Sequence, residues 1–222
     1  MALTNYTELK ASLANWLNRS DLTTEIADDF IKLAEADFNS KLRVRAMVAQ
    51  ADLTIDSETE SLPTDFLQIR DFYLLSGQTK TPLTYTTPSQ MDATTGTSTT
   101  GKPTTFTILG DTFRFSPKPD SSYTAFINYY KAFDALSDTN TTNYILTTHP
   151  AIYLYGSLFH AANFLGGINP QQVQTWQSMF ATAMERLEQN DREDQFSGSP
   201  LQVRSEDTVR SAFSNNYSTT NT

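Results

Sequence analysis

The stretch 149–167 constrains this chain more than any other part of it. Pro150 suits the first position of a helix, where its missing N–H would lack an intrahelical partner anyway. Gly166 can take the positive φ that closes one. Between them, Ile152, Tyr155, Phe159 and Ala162 fall on one stripe, and Leu154, Leu158, Ala161 and Leu165 on another. A helix apolar over so much of its circumference has to lie among other elements. It is too short, and too polar at Ser157, His160 and Asn163, to span a bilayer. The sequence therefore predicts a central core helix here, and the remaining segments are read by what they can pack around it.

Two helices are predicted before it. Asn5 caps the first, with Glu8 placed to reach back as in a capping box. Tyr6, Leu9, Leu13, Trp16 and Leu17 then recur at helical spacing. After a break at residues 18–21, a second helix runs over about 24–42, with Ile26, Phe30, Leu33, Ala34, Phe38 and Leu42 as its expected core positions. Its Asp28-Asp29 pair reads as a solvated helix start, where acids suit the helix dipole. From Met47 the period changes to two, and Met47, Ala49, Ala51, Leu53 and Ile55 alternate with polar neighbours as in a half-buried strand. Further strands are predicted at 67–75, 83–86, 104–109, 112–116 and 123–131, with Gly110-Asp111 as the tight turn of a hairpin. The Thr/Gly-rich run 93–102 reads as a loop. About six strands joined by short turns predict an antiparallel module.

Helical signals return at Asn143 and continue through the central stretch. Asn169 then caps a last helix starting at Pro170, whose Val173, Trp176, Phe180, Ala183, Met184 and Leu187 form one apolar face. Asp191, Glu193 and Asp194 read as solvated acids beyond its end. From 197 onward apolar residues are sparse, and the segment cannot build a core of its own. The fold class expected is α+β: a helical bundle formed by the N- and C-terminal helices, with an inserted antiparallel β module and an extended C-terminal tail. The boundaries expected are 1–45 for the N-terminal helices, 46–135 for the β module, 136–192 for the helices completing the bundle, and 193–222 for the tail.

Chemistry is sparse. The net charge of −9 argues against a protein that grips nucleic acid by neutralising phosphates. With no cysteine and two separated histidines, His149 and His160, no zinc-ligand spacing is present and no thiol site is possible. Gly166-Gly167 lacks the Lys and Ser/Thr of a phosphate cradle and reads as a helix stop. No nucleophile elbow, P-loop or dinucleotide fingerprint occurs. The aromatics Phe106, Phe113, Phe115, Tyr123, Phe126, Tyr129 and Tyr130 lack interleaved Lys and Arg, so they read as sheet core and not as a base-stacking platform. The sequence begins with a polar helix and without a basic, then apolar, leader, so no signal peptide is expected. No cofactor, no metal and no catalytic residue is expected.

The order of motifs carries a resemblance. Trp16-Leu17-Asn18-Arg19 ends the first helix; Phe30-Ile31 lies in the second, which closes with Arg43-Val44-Arg45. Leu62-Pro63-Thr64-Asp65-Phe66, Phe113-Arg114-Phe115 with Pro117 and Pro119, and Tyr129-Tyr130 follow. Leu136-Ser137, Asn143-Tyr144-Ile145-Leu146 and Tyr153-Leu154-Tyr155-Gly156 complete the series. Over roughly residues 5–190 this resembles the head-to-tail adaptor (connector) proteins of tailed bacteriophages. The resemblance implies a structural protein and no enzyme, in a ring of 12 copies that joins the portal protein to a tail or nozzle protein. It implies a place in the virion neck after assembly in the host bacterial cytoplasm, with no membrane. Viral DNA would pass through the ring during ejection without sequence-specific binding, and an acidic wall suits that passage by repelling phosphates.

The tail fits a docking role, since scattered anchors among polar spacers can fold onto a partner. Leu201, Val203, Arg204, Val209, Arg210, Phe213 and Tyr217 are the expected portal-docking residues. The rival readings are a tail-tube or host-receptor-binding tail component, and a virion peptidoglycan hydrolase.

Overall fold

In a computed structural model of the chain, which describes residues 3–19, 21–22, 24–76, 79–94 and 100–196, caps set the helix starts that the sequence announces. Helix α1 (Tyr6–Leu17) opens with the Asn5 side chain accepting from the Glu8 N–H at 2.9 Å. Glu8 reaches back one residue further than a capping box requires, accepting from the N–H and hydroxyl of Thr4 at 2.8 and 2.7 Å. Asn18, at φ 50°, ends α1 in the left-handed conformation that asparagine tolerates. Helix α2 (Thr24–Lys41) follows, and a 3-10 turn (Arg45–Met47) leads into the strands.

The strands are β1 (Val48–Ile55), β2 (Thr59–Ser61), β3 (Phe66–Ser76), β4 (Thr79–Pro82), β5 (Thr84–Tyr85), β6 (Thr105–Leu109), β7 (Thr112–Ser116) and β8 (Tyr123–Lys131). They form two four-stranded sheets, β1-β8-β3-β4 and β2-β7-β6-β5. The chain crosses between the sheets at both edges, from β1 to β2 over 56–58 and from β4 to β5 at Leu83. The two strands beyond the six expected are β2 and β4, short edge strands beside these crossings in segments whose polar composition gave no alternation to read. The pairing is antiparallel apart from β5 against β6, which is parallel. Between the sheets lie Phe72, Phe106, Phe113, Phe115, Ile127 and Tyr129, all buried. Four of the seven aromatics read as sheet core are thus fully inside; Tyr123, Phe126 and Tyr130 are half-buried. Val48 pairs with Tyr130 in the register, so the module is entered and left on adjacent strands.

Three more helices follow β8: α4 (Tyr144–Thr148), α5 (Pro150–Leu165) and α6 (Pro170–Phe196), while a short α3 (Pro88–Thr94) lies inside the β module. The predicted central helix is α5. It packs against α1, α2, α4 and α6, and Ile152, Tyr153 and Leu158 are fully buried. Gly156 sits at its closest approach to both neighbours: a Cβ there would lie 3.0 Å from the Ala34 Cβ and 3.0 Å from Phe180 Cε2. The described chain is α+β, with one core shared by the helices and another between the sheets.

Four expectations are corrected. Leu33, placed in the core by its spacing, is 50 % exposed, because the buried stripe of α2 runs through Phe30, Ile31, Ala34 and Phe38. Trp16 is 48 % exposed and packs edge-on against Tyr155 at 6.1 Å. The start of the run read as a loop, 93–94, belongs instead to helix α3, started by Thr87 and Pro88 with reciprocal bonds between Thr87 and Gln90. Helix α6 runs on to Phe196, so 191–194 lie within it and not beyond its end; Glu193 and Asp194 are exposed, and Asp191 is half-buried. The remainder of the expected tail, from 197 onward, lies outside the described residues.

Candidate functional site

Two features of the described surface and core carry the functional argument: a polar junction that fixes the β module to the helices, and an open apolar groove. At the junction, residues 132–143 return from β8 to α4. Their backbone is tied down in four directions. The Phe133 N–H donates to Asn39 Oδ1 at 2.9 Å, and the Leu136 N–H donates to Glu35 Oε1 at 2.8 Å. The Thr141 carbonyl accepts from the Tyr6 N–H at 2.8 Å, and Asn143 Nδ2 donates to the Asp134 carbonyl at 2.9 Å. Glu35 is the hub, since Tyr153 Oη also donates to its Oε1 at 2.9 Å. One carboxylate thus joins α2, the return segment and α5. Glu35 is buried, and burial pushes its carboxyl above the ordinary carboxylate value; the Leu136 N–H, the Tyr153 hydroxyl and Lys32 pull the other way without winning. The Tyr153 hydroxyl is pushed up in turn, first by burial and then by the Glu35 charge. Aromatic contacts reinforce the joint, with Phe38 to Tyr153 at 5.1 Å and Phe133 stacked on Tyr144 at 5.9 Å.

A second tie involves the acids read as solvated. Asp191 Oδ1 accepts from the Arg45 backbone N–H at 3.1 Å and from its Nε at 3.0 Å, and Asp194 lies 3.3 Å from the same guanidinium. The far half of α6 is thereby fastened to the turn that leads into β1. Within the module, Tyr129 Oη donates to Asp65 Oδ1 at 2.9 Å. Burial, and then Asp65, push the Tyr129 hydroxyl up to about 12.

The groove lies between α2 and α5. These helices run antiparallel, since Asp37 meets His160 at 3.1 Å while Phe30 meets Phe164 at 5.6 Å. Ile26, Phe30 and Leu33 on one side, and His160 and Phe164 on the other, wall a cavity of about 420 Å³ with Asp29 at its rim. Leu33 is 50 % and Phe164 67 % exposed. Large apolar side chains left open in a continuous patch mark interaction sites.

Of the residues singled out in the sequence, His160 serves as a partner of Asp37 at this groove, and His149 stands at the α4–α5 joint with its imidazole pushed down by burial. Asp28 is not simply solvated, because Lys10 lies 3.5 Å from it. Among the described residues no group of three or more His, Asp and Glu is placed to hold a metal ion. The tail residues Leu201, Val203, Arg204, Val209, Arg210, Phe213 and Tyr217 lie outside the described residues. Sequence reasoning missed Glu35 and the groove. The first had no local signature, and the second is visible only as apolar residues that packing fails to cover.

The described residues thus present a polar joint and an open apolar groove. The model of the SU10 adaptor protein family matches the chain over residues 4–204. The chain belongs to that family. SU10 adaptor proteins are phage head-to-tail adaptors, so this chain is a structural adaptor protein and a component of the virion neck. A comparison with curated proteins finds no match. Among the described residues no helix is long and apolar enough to cross a membrane.

Proposed function

We propose that the chain is one subunit of a 12-copy ring that joins the portal protein to a tail or nozzle protein and extends the DNA channel. The observation that carries this reading is the family match, which spans residues 4–204 and so takes in both the helical core and the β module. In this reading the helices of 1–45 and 136–192 act as one bundle, the module of 46–135 projects from it, and residues 193–222 reach the portal. Leu201, Val203, Val209, Phe213 and Tyr217 fill pockets there, while Arg204 and Arg210 pair with acids.

The adaptor is no enzyme and works without a cofactor. Its net charge of −9 gives a lumen wall from which phosphates are repelled, so DNA slides during ejection without being read. The Glu35 junction supports this role mechanically. A ring that transmits load between head and tail needs its module held at a fixed angle to its helices, and one buried carboxylate tying three segments does that. Assembly takes place in the host bacterial cytoplasm.

Electron microscopy of particles carrying a labelled copy of this chain is the test. Density at the neck, between portal and tail, is the expected result. Label at the tail tip would favour a receptor-binding component and overturn the proposal.

A further inference from the structure

The α2/α5 groove has a floor, a rim and, in this chain's own sequence, an occupant. We propose that residues 209–217 dock in the groove of the same molecule, with Val209, Phe213 and Tyr217 against its floor and Arg210 toward its rim. Three observations converge on this. The first is shape. Ile26, Phe30 and Leu33 on α2, and His160 and Phe164 on α5, leave an apolar trough between two antiparallel helices. Such a trough takes a third segment whose apolar anchors recur every three or four residues. Val209, Phe213 and Tyr217 are spaced four apart and would line one face of a helix formed on docking.

The second is charge. Over residues 25–37, α2 carries Glu25, Asp28, Asp29, Glu35 and Asp37 against Lys32 alone. Of these acids, Asp29 stands at the groove's rim and Asp37 beside its His160 wall. Residues 208–222 contain Arg210 and no acidic side chain. An incoming segment with one cation and no anion suits an apolar floor with an acidic border, whereas the acidic remainder of the chain does not.

The third is reach. Helix α6 is 27 residues long, so it spans about 40 Å at 1.5 Å per residue. It starts beside the groove, because Phe164 lies just before the Gly166 turn that leads to Pro170, and it ends at Phe196 at the opposite end of the helices. A chain returning over that distance at about 3.3 Å per residue consumes about 12 residues. The return path is then 197–208, and Val209 is the first anchor able to arrive. A shorter tail could not fill the groove in its own molecule.

The docked segment shares Val209, Arg210, Phe213 and Tyr217 with the portal-docking set, so the groove is their position in the free subunit and a portal must draw them off it. This goes beyond the adaptor reading, and its test needs no portal, so either can fail without the other.

The test uses the full-length chain, in which no cysteine competes for labelling. Ser214→Cys places a nitroxide spin label beside Phe213, and methyl resonances of Ile26 and Leu33 are observed by NMR. Broadening of both, lost when Val209→Ser and Phe213→Ser are added, is the result expected. The label would then reach the groove only through the anchors. No broadening, or broadening that survives removal of the anchors, overturns the proposal, the latter because it would mark a merely tethered segment. Mixing spin-labelled, isotope-free chain with isotope-labelled, unlabelled chain separates copies. Broadening of equal size in that mixture would place the segment on a second copy and also overturn docking within one molecule.

Discussion

Glu35 accepts from the Leu136 N–H and the Tyr153 hydroxyl through one buried carboxyl oxygen. Its carboxyl is raised above its ordinary value of 4.5 mainly by burial, so the folded state prefers the protonated form more than the unfolded chain does. The stability associated with that preference is fully present below the ordinary value and is lost as pH rises through the raised one. Glu35→Gln removes the titration while keeping an oxygen to accept from Leu136 and Tyr153. Urea unfolding over about pH 4 to 8 should therefore show the variant gaining on the parent protein as pH rises. A parallel pair of curves would mean the burial penalty is not felt. Glu35→Ala is a different perturbation, because it orphans two buried donors at about 1–3 kcal/mol each, and it should lower stability at every pH. The reason Glu35 was invisible in the sequence is distance: its partners lie 101 and 118 residues away. Asp191 escaped notice on the same ground, since Arg45 is 146 residues distant.

At the scale of elements the sequence speaks more directly, because caps, turns and periodicity are local. Strand β8 occupies the predicted 123–131, and the Gly110 turn, at φ 59°, joins β6 and β7 as expected. Helix α3 had a legible start too, Thr87-Pro88 with Gln90 behind it, but its polar composition gave no apolar stripe to follow. Leu33 failed for the converse reason: spacing shows that a residue lies near a face, and only packing shows how wide that face is. Helix α6 offers a test of a stripe that was read correctly. Trp176, 3 % exposed, fills the core beneath it, and Trp176→Ala should cost about 3–5 kcal/mol by lost transfer energy and a residual cavity. An unchanged melting curve would show that the core does not depend on it. Gly156 tests the opposite, a space already full. Alanine in a helix interior gains about 1 kcal/mol over glycine. Here its Cβ would press on the Ala34 Cβ, which is rooted in the α2 backbone and cannot swing away, and on the Phe180 ring. Overpacking of about 1–3 kcal/mol should offset or outweigh the gain, so Gly156→Ala should destabilise by up to about 2 kcal/mol. A variant more stable than the parent protein would show that α2 and α6 move apart at little cost.

For the whole molecule the decisive quantities are charge and the supply of apolar surface. With 38 % hydrophobic residues divided between two separate cores, little is left to hold subunits together, and a net charge of −9 makes identical copies repel. The groove between α2 and α5 is the open apolar patch described above, and in the free chain its covering by residues 209–217 would withhold it from neighbours. An adaptor ring built from such subunits needs something to gather them. A portal can do so by holding adjacent copies at a high effective concentration, which makes weak contacts sufficient. The purified chain should therefore be a monomer by light scattering at micromolar concentration, and should form rings when portal is added. Raising the salt should ease the repulsion, since the Debye length falls from about 10 Å at 0.1 M to about 3 Å at 1 M, and should shift the chain modestly toward association. A dodecamer stable without portal at low salt would rule out templating, because contacts strong enough to overcome the repulsion unaided would leave the portal only a place to dock.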